Sequence, residues 1–141
     1  MTISFENARE EDILSIFQLN KELIDKYEDI ASIDYDRVID WVRHNIEKQL
    51  PHFRRVMAYG NLAGYFCLIP TDEKWELDSL FVLPPYQNQG IGTQILKHVR
   101  KETSGNLFFF VFKENTHAIR LYERMGFHIV KEIHKTRFIM E

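Results

Sequence analysis

The sequence predicts an α/β (α+β) domain: a mixed, mostly antiparallel central sheet of about seven strands flanked by about four helices. Three observations lead there. Two apolar runs, 53–59 and 62–69, meet at Gly60-Asn61, a two-residue hairpin signal that sets neighbouring strands antiparallel. Further on, an apolar run at 75–83, a loop with two glycines, a helical stripe and the run Leu107-Phe108-Phe109-Phe110-Val111-Phe112 follow one another. Strand, helix and strand in succession imply a parallel pair joined by a right-handed crossover. Finally, two long stretches ahead of the hairpin carry apolar residues at helical spacing.

At 141 residues the chain is expected to form one domain with one core. A formal net charge of -3 gives no support for nucleic-acid binding through a broad basic face. No apolar run approaches the length of a membrane span. The opening Thr2-Ile3-Ser4-Phe5 lacks the charged and apolar regions of a signal peptide, so a cytoplasmic location is expected. Cys67 is the only cysteine, which excludes an internal disulfide and a thiolate-rich zinc site. The six histidines are scattered, without a His-x-x-x-His pair, and no metal is expected.

Taken in order, Ile3 to Asn7 reads as the first strand, and Arg9-Glu10-Glu11-Asp12 supplies acids suited to a helix N-terminus. Ile13, Ile16, Phe17, Leu23, Ile24 and Tyr27 mark one face of helix one, broken only by Asn20. Asp34 is placed to cap helix two, whose stripe is Tyr35, Val38, Ile39, Val42, Ile46 and Leu50; Pro51 ends it. Trp41 falls beside that stripe and would widen the buried face. The runs on either side of Gly60-Asn61 are strands two and three, Pro70 to Lys74 is a turn, and Trp75 to Leu83 is strand four. A helix from Gly90 to about Thr103 is read from Ile91, Ile95, Leu96 and Val99. The unbroken run 107–112 reads as a fifth strand covered on both faces. A fourth helix spans Asn115 to Met125, stopped by Gly126. Phe127 to Ile133 and Thr136 to Met140 make a final hairpin around His134-Lys135.

The chemistry centres on Leu80 to Thr93. After the Pro84-Pro85 stop comes Tyr86-Gln87-Asn88-Gln89-Gly90-Ile91-Gly92-Thr93, a glycine-bearing turn into a helix. Main-chain N–H groups there are uncovered by any Cβ at Gly90 and Gly92 and stand at the positive end of the helix dipole, which suits an anionic pyrophosphate. A nucleoside-triphosphate P-loop is excluded, because no Gly-Lys-Ser/Thr follows; the three-glycine dinucleotide fingerprint lacks its spacing and its downstream acid.

Gln87-x-x-Gly90-x-Gly92 resembles the acyl-CoA-binding motif of the GNAT N-acetyltransferase superfamily, Gln/Arg-x-x-Gly-x-Gly/Ala. A second stretch, Asn115-x-x-Ala118-x-x-x-Tyr122-x-x-x-Gly126-Phe127, is similar to another motif of that superfamily in the same order. The resemblance implies acetyl-CoA as donor and a primary amine as acceptor, with direct attack in a ternary complex. It also implies that strands four and five splay to admit the pantetheine arm, and that a homodimer is one expected assembly.

Residue roles follow from that resemblance. Gln87, Asn88, Gln89, Gly90, Ile91, Gly92 and Thr93 would hold the pyrophosphate, although the three amides stand where arginine or lysine is common. The main chain of Leu80, Phe81 and Val82 would pair with the pantetheine amides and meet the thioester oxygen. Asn115 would cap its helix and bond the pantetheine. Tyr122 is the expected general acid, since a phenol with a pKa near ~10 can donate to a thiolate. Glu76 or Asp78, directly or through water, would take the proton from the amine. Both share one face of strand four by alternation unless a bulge breaks the parity; the competing reading leaves them solvated. The alternative function is a non-catalytic acyl-CoA-binding or sensor domain of the same fold. The acceptor is left open, because helices one and two, which line its site in the family, are its most variable part.

Overall fold

The computed structural model describes residues 2–141. Its elements are β1 (Ile3–Asn7), α1 (Ile13–Tyr27), α2 (Tyr35–Gln49), β2 (Phe53–Ala58), β3 (Asn61–Pro70), β4 (Trp75–Val82), α3 (Ile91–Glu102), β5 (Leu107–Phe112), α4 (Thr116–Arg124), β6 (Ile129–Ile133) and β7 (Arg137–Met140). The seven strands form one sheet in the order β1-β2-β3-β4-β5-β7-β6. Only β4 and β5 run parallel, as the strand-helix-strand order requires.

Helices cover the two faces in pairs. On one face Ile91, Ile95, Leu96 and Val99 of α3 and Ile119 of α4 pack with Phe66, Leu68, Leu77, Phe109 and Met140 of the sheet. On the other, Ile16 of α1 and Ile46 of α2 pack with Phe53, Tyr65, Cys67 and Phe81. A polar knot fixes the start of α1: buried Asp12 accepts from the Tyr65 hydroxyl (2.8 Å) and faces the Arg55 guanidinium (3.5 Å).

The structure departs from the sequence reading in four places. The β2–β3 turn is Tyr59-Gly60, one residue earlier than the Gly60-Asn61 signal, and Ala58 pairs with Asn61. Both turn residues have positive φ (55° and 77°), the primed geometry whose twist matches that of the strands. Phe127 lies outside β6 and is buried against Phe109 instead. The β5 run is not evenly covered: Leu107, Phe109 and Val111 are buried, whereas Phe110 is 42% exposed. Trp41, expected to widen the buried face of α2, is 64% exposed. Both exposed rings line the same cleft.

Candidate active site

β4 and β5 are paired only at Trp75–Leu107 and Glu76–Phe108. Beyond that rung the strands separate, and β5 gives its other edge to β7 at Phe109–Met140 through Phe112–Arg137. The edge of β4 past Glu76 is therefore without a strand partner, and a cavity of about 630 Å³ opens along it.

A bulge determines which side chains enter that cavity. On β3, Cys67 pairs with Ser79 while the next residue, Leu68, pairs with Leu77, so Asp78 is the extra residue. Leu77 consequently packs on the α3 face, whereas Phe81 packs on the α1/α2 face. Opposed residues share a face, and Glu76 pairs with Ile69, which belongs to the α1/α2 side. Glu76 and Asp78 thus both line the cavity beside α1 and α2. Asp78 is open to the cleft rather than sealed in the core, yet protein surrounds it on its other sides.

The two carboxyl groups lie within hydrogen-bonding reach of each other. Removal from bulk water, reinforced by the neighbouring Asp78 charge, pushes Glu76 up to about 7. Burial also raises Asp78, against the hydrogen bonds from Glu76 and from the Ser79 hydroxyl, 3.3 Å away. Two adjacent carboxyls, one of them half-buried, cannot both ionise cheaply and hold one proton between them near neutrality. Cys67, on the same side of the sheet, is fully buried, and burial drives its thiol well above the usual range, so it is no nucleophile.

Where β4 ends, Asn88 and Gly90 take positive φ (62° and 80°) and turn the chain into α3. Gly90 is the N-cap and carries no capping side chain, nor does an acid occupy the first turn. By contrast α2 and α4 are capped by Asp34 and Asn115. The first N–H groups of α3 are therefore orphaned donors, and Gly90, Ile91, Gly92 and Thr93 line the cavity. A Cβ at Gly90 would meet nothing within 4 Å, so no neighbouring atom closes over the turn at that residue. The amides divide: Gln87 and Asn88 line the cavity, with Gln87 Nε2 donating to the Val82 carbonyl (2.9 Å). Gln89 donates to the Pro85 carbonyl (3.1 Å) and is not among the lining residues.

Leu80, Phe81 and Val82 line the cavity on the opened stretch of β4. Tyr122, on α4, packs its ring 4.2 Å from Phe109 at 47°, and burial pushes its hydroxyl up to about 12. Asn115 Oδ1 accepts from the Ala118 N–H (3.3 Å) and from the Tyr27 hydroxyl (3.5 Å). Its amide nitrogen has no such partner among the described residues.

Every residue singled out from the sequence except Gln89 lines this one cavity. Sequence reasoning missed Asn45, Phe110 and Arg137, which line it as well. Asn20 and Trp41 had left a trace by interrupting or flanking an apolar stripe; Arg137 had left none.

The fold is that of PaiA N-acetyltransferase from Thermoplasma acidophilum, solved in complex with coenzyme A, with a TM-score of 0.72 at 21% identity over 99% of this chain and 98% of that one. Among curated sequences, the peptidyl-lysine N-acetyltransferase YjaB of Salmonella typhimurium is 26% identical over 129 residues, 92% of this chain and 86% of that protein. The spermine/spermidine N(1)-acetyltransferase of Bacillus subtilis is 31% identical over 102 residues, 61% of this chain. The matched stretch spans 66% of the Bacillus protein's length. Sheet order, the opened parallel pair and these likenesses define the acetyltransferase class of fold. The profile of the Acetyltransferase (GNAT) family matches residues 13–127, and the chain belongs to that family.

Proposed function

We propose that the protein transfers the acetyl group of acetyl-CoA to the nitrogen of a primary amine by direct attack in a ternary complex. The observation that carries this reading is the opening of β4 from β5 after Glu76–Phe108, with the uncapped start of α3 and Tyr122 both lining the cleft. Relatives named for acetylating spermine, spermidine and peptidyl-lysine support an amine acceptor.

Acetyl-CoA, when bound, supplies the acetyl group as a thioester. The first-turn N–H groups of α3 would hold the pyrophosphate without a basic side chain. The exposed edge of β4 from Leu80 to Val82 would accept the pantetheine as an added strand, and the free amide nitrogen of Asn115 would bond it from the opposite wall. The Glu76–Asp78 pair holds its proton below about pH 7 and can accept one from an ammonium group above it. Tyr122 keeps its proton throughout the physiological range and would give it to the departing thiolate.

The test is thiol release from acetyl-CoA with a panel of amines, run on the wild type, Glu76→Gln and Tyr122→Phe, together with calorimetry of coenzyme A against ATP and NAD. Turnover on at least one amine, reduced in both variants, is the expected result. Coenzyme A binding without turnover on any amine would favour the sensor alternative, and equal affinity for all three nucleotides would refute both.

A further inference from the structure

We propose that Arg137 is a specificity-determining residue of the acceptor site, and that the preferred acceptor is a primary amine carrying a carboxylate. The inference rests on the transferase reading above and concerns what occupies the α1/α2 side of the cleft.

The Arg137 Nε is sealed from solvent and has no hydrogen-bond partner among the described residues. Arg55 shares that description but faces the Asp12 carboxylate at 3.5 Å. No carboxylate lies within ion-pairing distance of Arg137 among the described residues. Holding a guanidinium half-buried without an anion is costly, and this side chain lines the cavity.

Its position gives the charge a direction. Arg137 is opposite Phe112 on β7, with the guanidinium 5.7 Å from that ring. Phe112 in turn lies against Tyr27 of α1 (5.9 Å), which places Arg137 on the α1/α2 face, the face of Glu76 and Asp78. Three rungs of β5 then run up this face. Glu76 pairs beside Phe108, Phe110 follows with its ring 42% exposed, and Arg137 pairs beside Phe112. The outer rungs are about 13 Å apart along the strand and, because β4 and β7 flank β5 on opposite sides, roughly 10 Å apart across the sheet, a diagonal that the long side chains narrow from both ends. An acid pair, an open apolar ring and an unpaired cation in sequence match an ammonium, a short aliphatic spacer and a carboxylate. A purely cationic amine such as a polyamine would bring a positive group against Arg137.

The test measures binding to the wild-type protein in the presence of coenzyme A, using ω-amino acids from 3-aminopropanoate to 6-aminohexanoate, each against the alkylamine of equal length. We expect at least one length to bind 10-fold or more tighter than its matched alkylamine. Arg137→Gln should bring that pair within twofold by weakening the amino acid alone, and Arg137→Lys should keep part of the preference. An unchanged alkylamine affinity shows that the variants retain the fold. A wild type with no preference at any length, including one that binds neither ligand, overturns the proposal. So does a preference that survives Arg137→Gln, or equal weakening of both ligands. Coenzyme A titrated alone reports on the transferase reading separately: if it binds and the carboxylate preference is absent, only the acceptor assignment falls.

Discussion

Glu76 and Asp78, either side of Leu77 on β4, bring their carboxyl groups together on one face, because strand alternation holds from Glu76 to Asp78 and the bulge at Asp78 shifts only the residues that follow. The proton they share sets the expected pH dependence. With Glu76 raised to about 7, kcat/KM should rise as pH passes from 6 to 8 and then level. Glu76→Gln should remove that limb and lower kcat by about 10²-fold or more. A pH–rate profile that keeps its limb in the variant would move the base elsewhere.

The same shift has a consequence for stability. Glu76 is harder to ionise in the folded chain, so the folded state binds more protons than the unfolded state between its ordinary value of 4.5 and about 7. Stability is unaffected by this group below that window and falls as pH rises through it. Glu76→Gln removes the cost, and at pH 8 the variant should be more stable by roughly 1 kcal/mol, a Tm gain of ~3–5 °C. Thermal melts at pH 4 and pH 8 check this: the two proteins should converge at the lower pH.

Tyr122→Phe deletes one oxygen and keeps the ring against Phe109. The melting temperature should change little, while kcat falls about 10²-fold with coenzyme A affinity preserved. Equal losses in affinity and kcat would instead assign Tyr122 to binding.

Gly64 and Gly92 separate two kinds of close approach. A Cβ at Gly64 would sit 2.0 Å from the Phe81 carbonyl oxygen, in a backbone that cannot yield without parting β3 from β4. Gly64→Ala should cost more than about 2 kcal/mol in chemical denaturation. At Gly92 the new Cβ would lie 3.2 Å from Leu121 Cδ2, the end of a flexible side chain. There alanine favours the helix, and Gly92→Ala should be nearly neutral for stability.

Asn115 joins a cap to a binding amide, and two substitutions divide them. Asn115→Ala loses the bond to the Ala118 N–H and should cost about 1 kcal/mol. Asn115→Asp keeps that acceptor and the stability but lacks the amide donor, so coenzyme A binding should weaken in both variants.

Much of this architecture was legible in the chain before folding. Ile91, Ile95, Leu96 and Val99 announce a helix and the face it buries. Asp34 and Asn115 announce caps, and the order strand, glycine turn, helix, strand announces the parallel pair, because each of these signals comes from neighbours along the chain. The hairpin signal Gly60-Asn61 lies one residue past the actual β2–β3 turn because Tyr59 takes positive φ, a conformation that is uncommon for a tyrosine and leaves no mark in the sequence.

What the sequence determined by itself was local: the elements, their caps, the glycine turn and the two motifs that bracket the cleft. Tertiary structure alone decided that β5 leaves β4 at the Glu76–Phe108 rung to pair with β7, that β4 bulges at Asp78 without separating the two acids, and that the Arg137 Nε has no hydrogen-bond partner among the described residues. Those outcomes depend on contacts between residues far apart in the chain, where pairing partners compete and side-chain periodicity carries no record of which one wins.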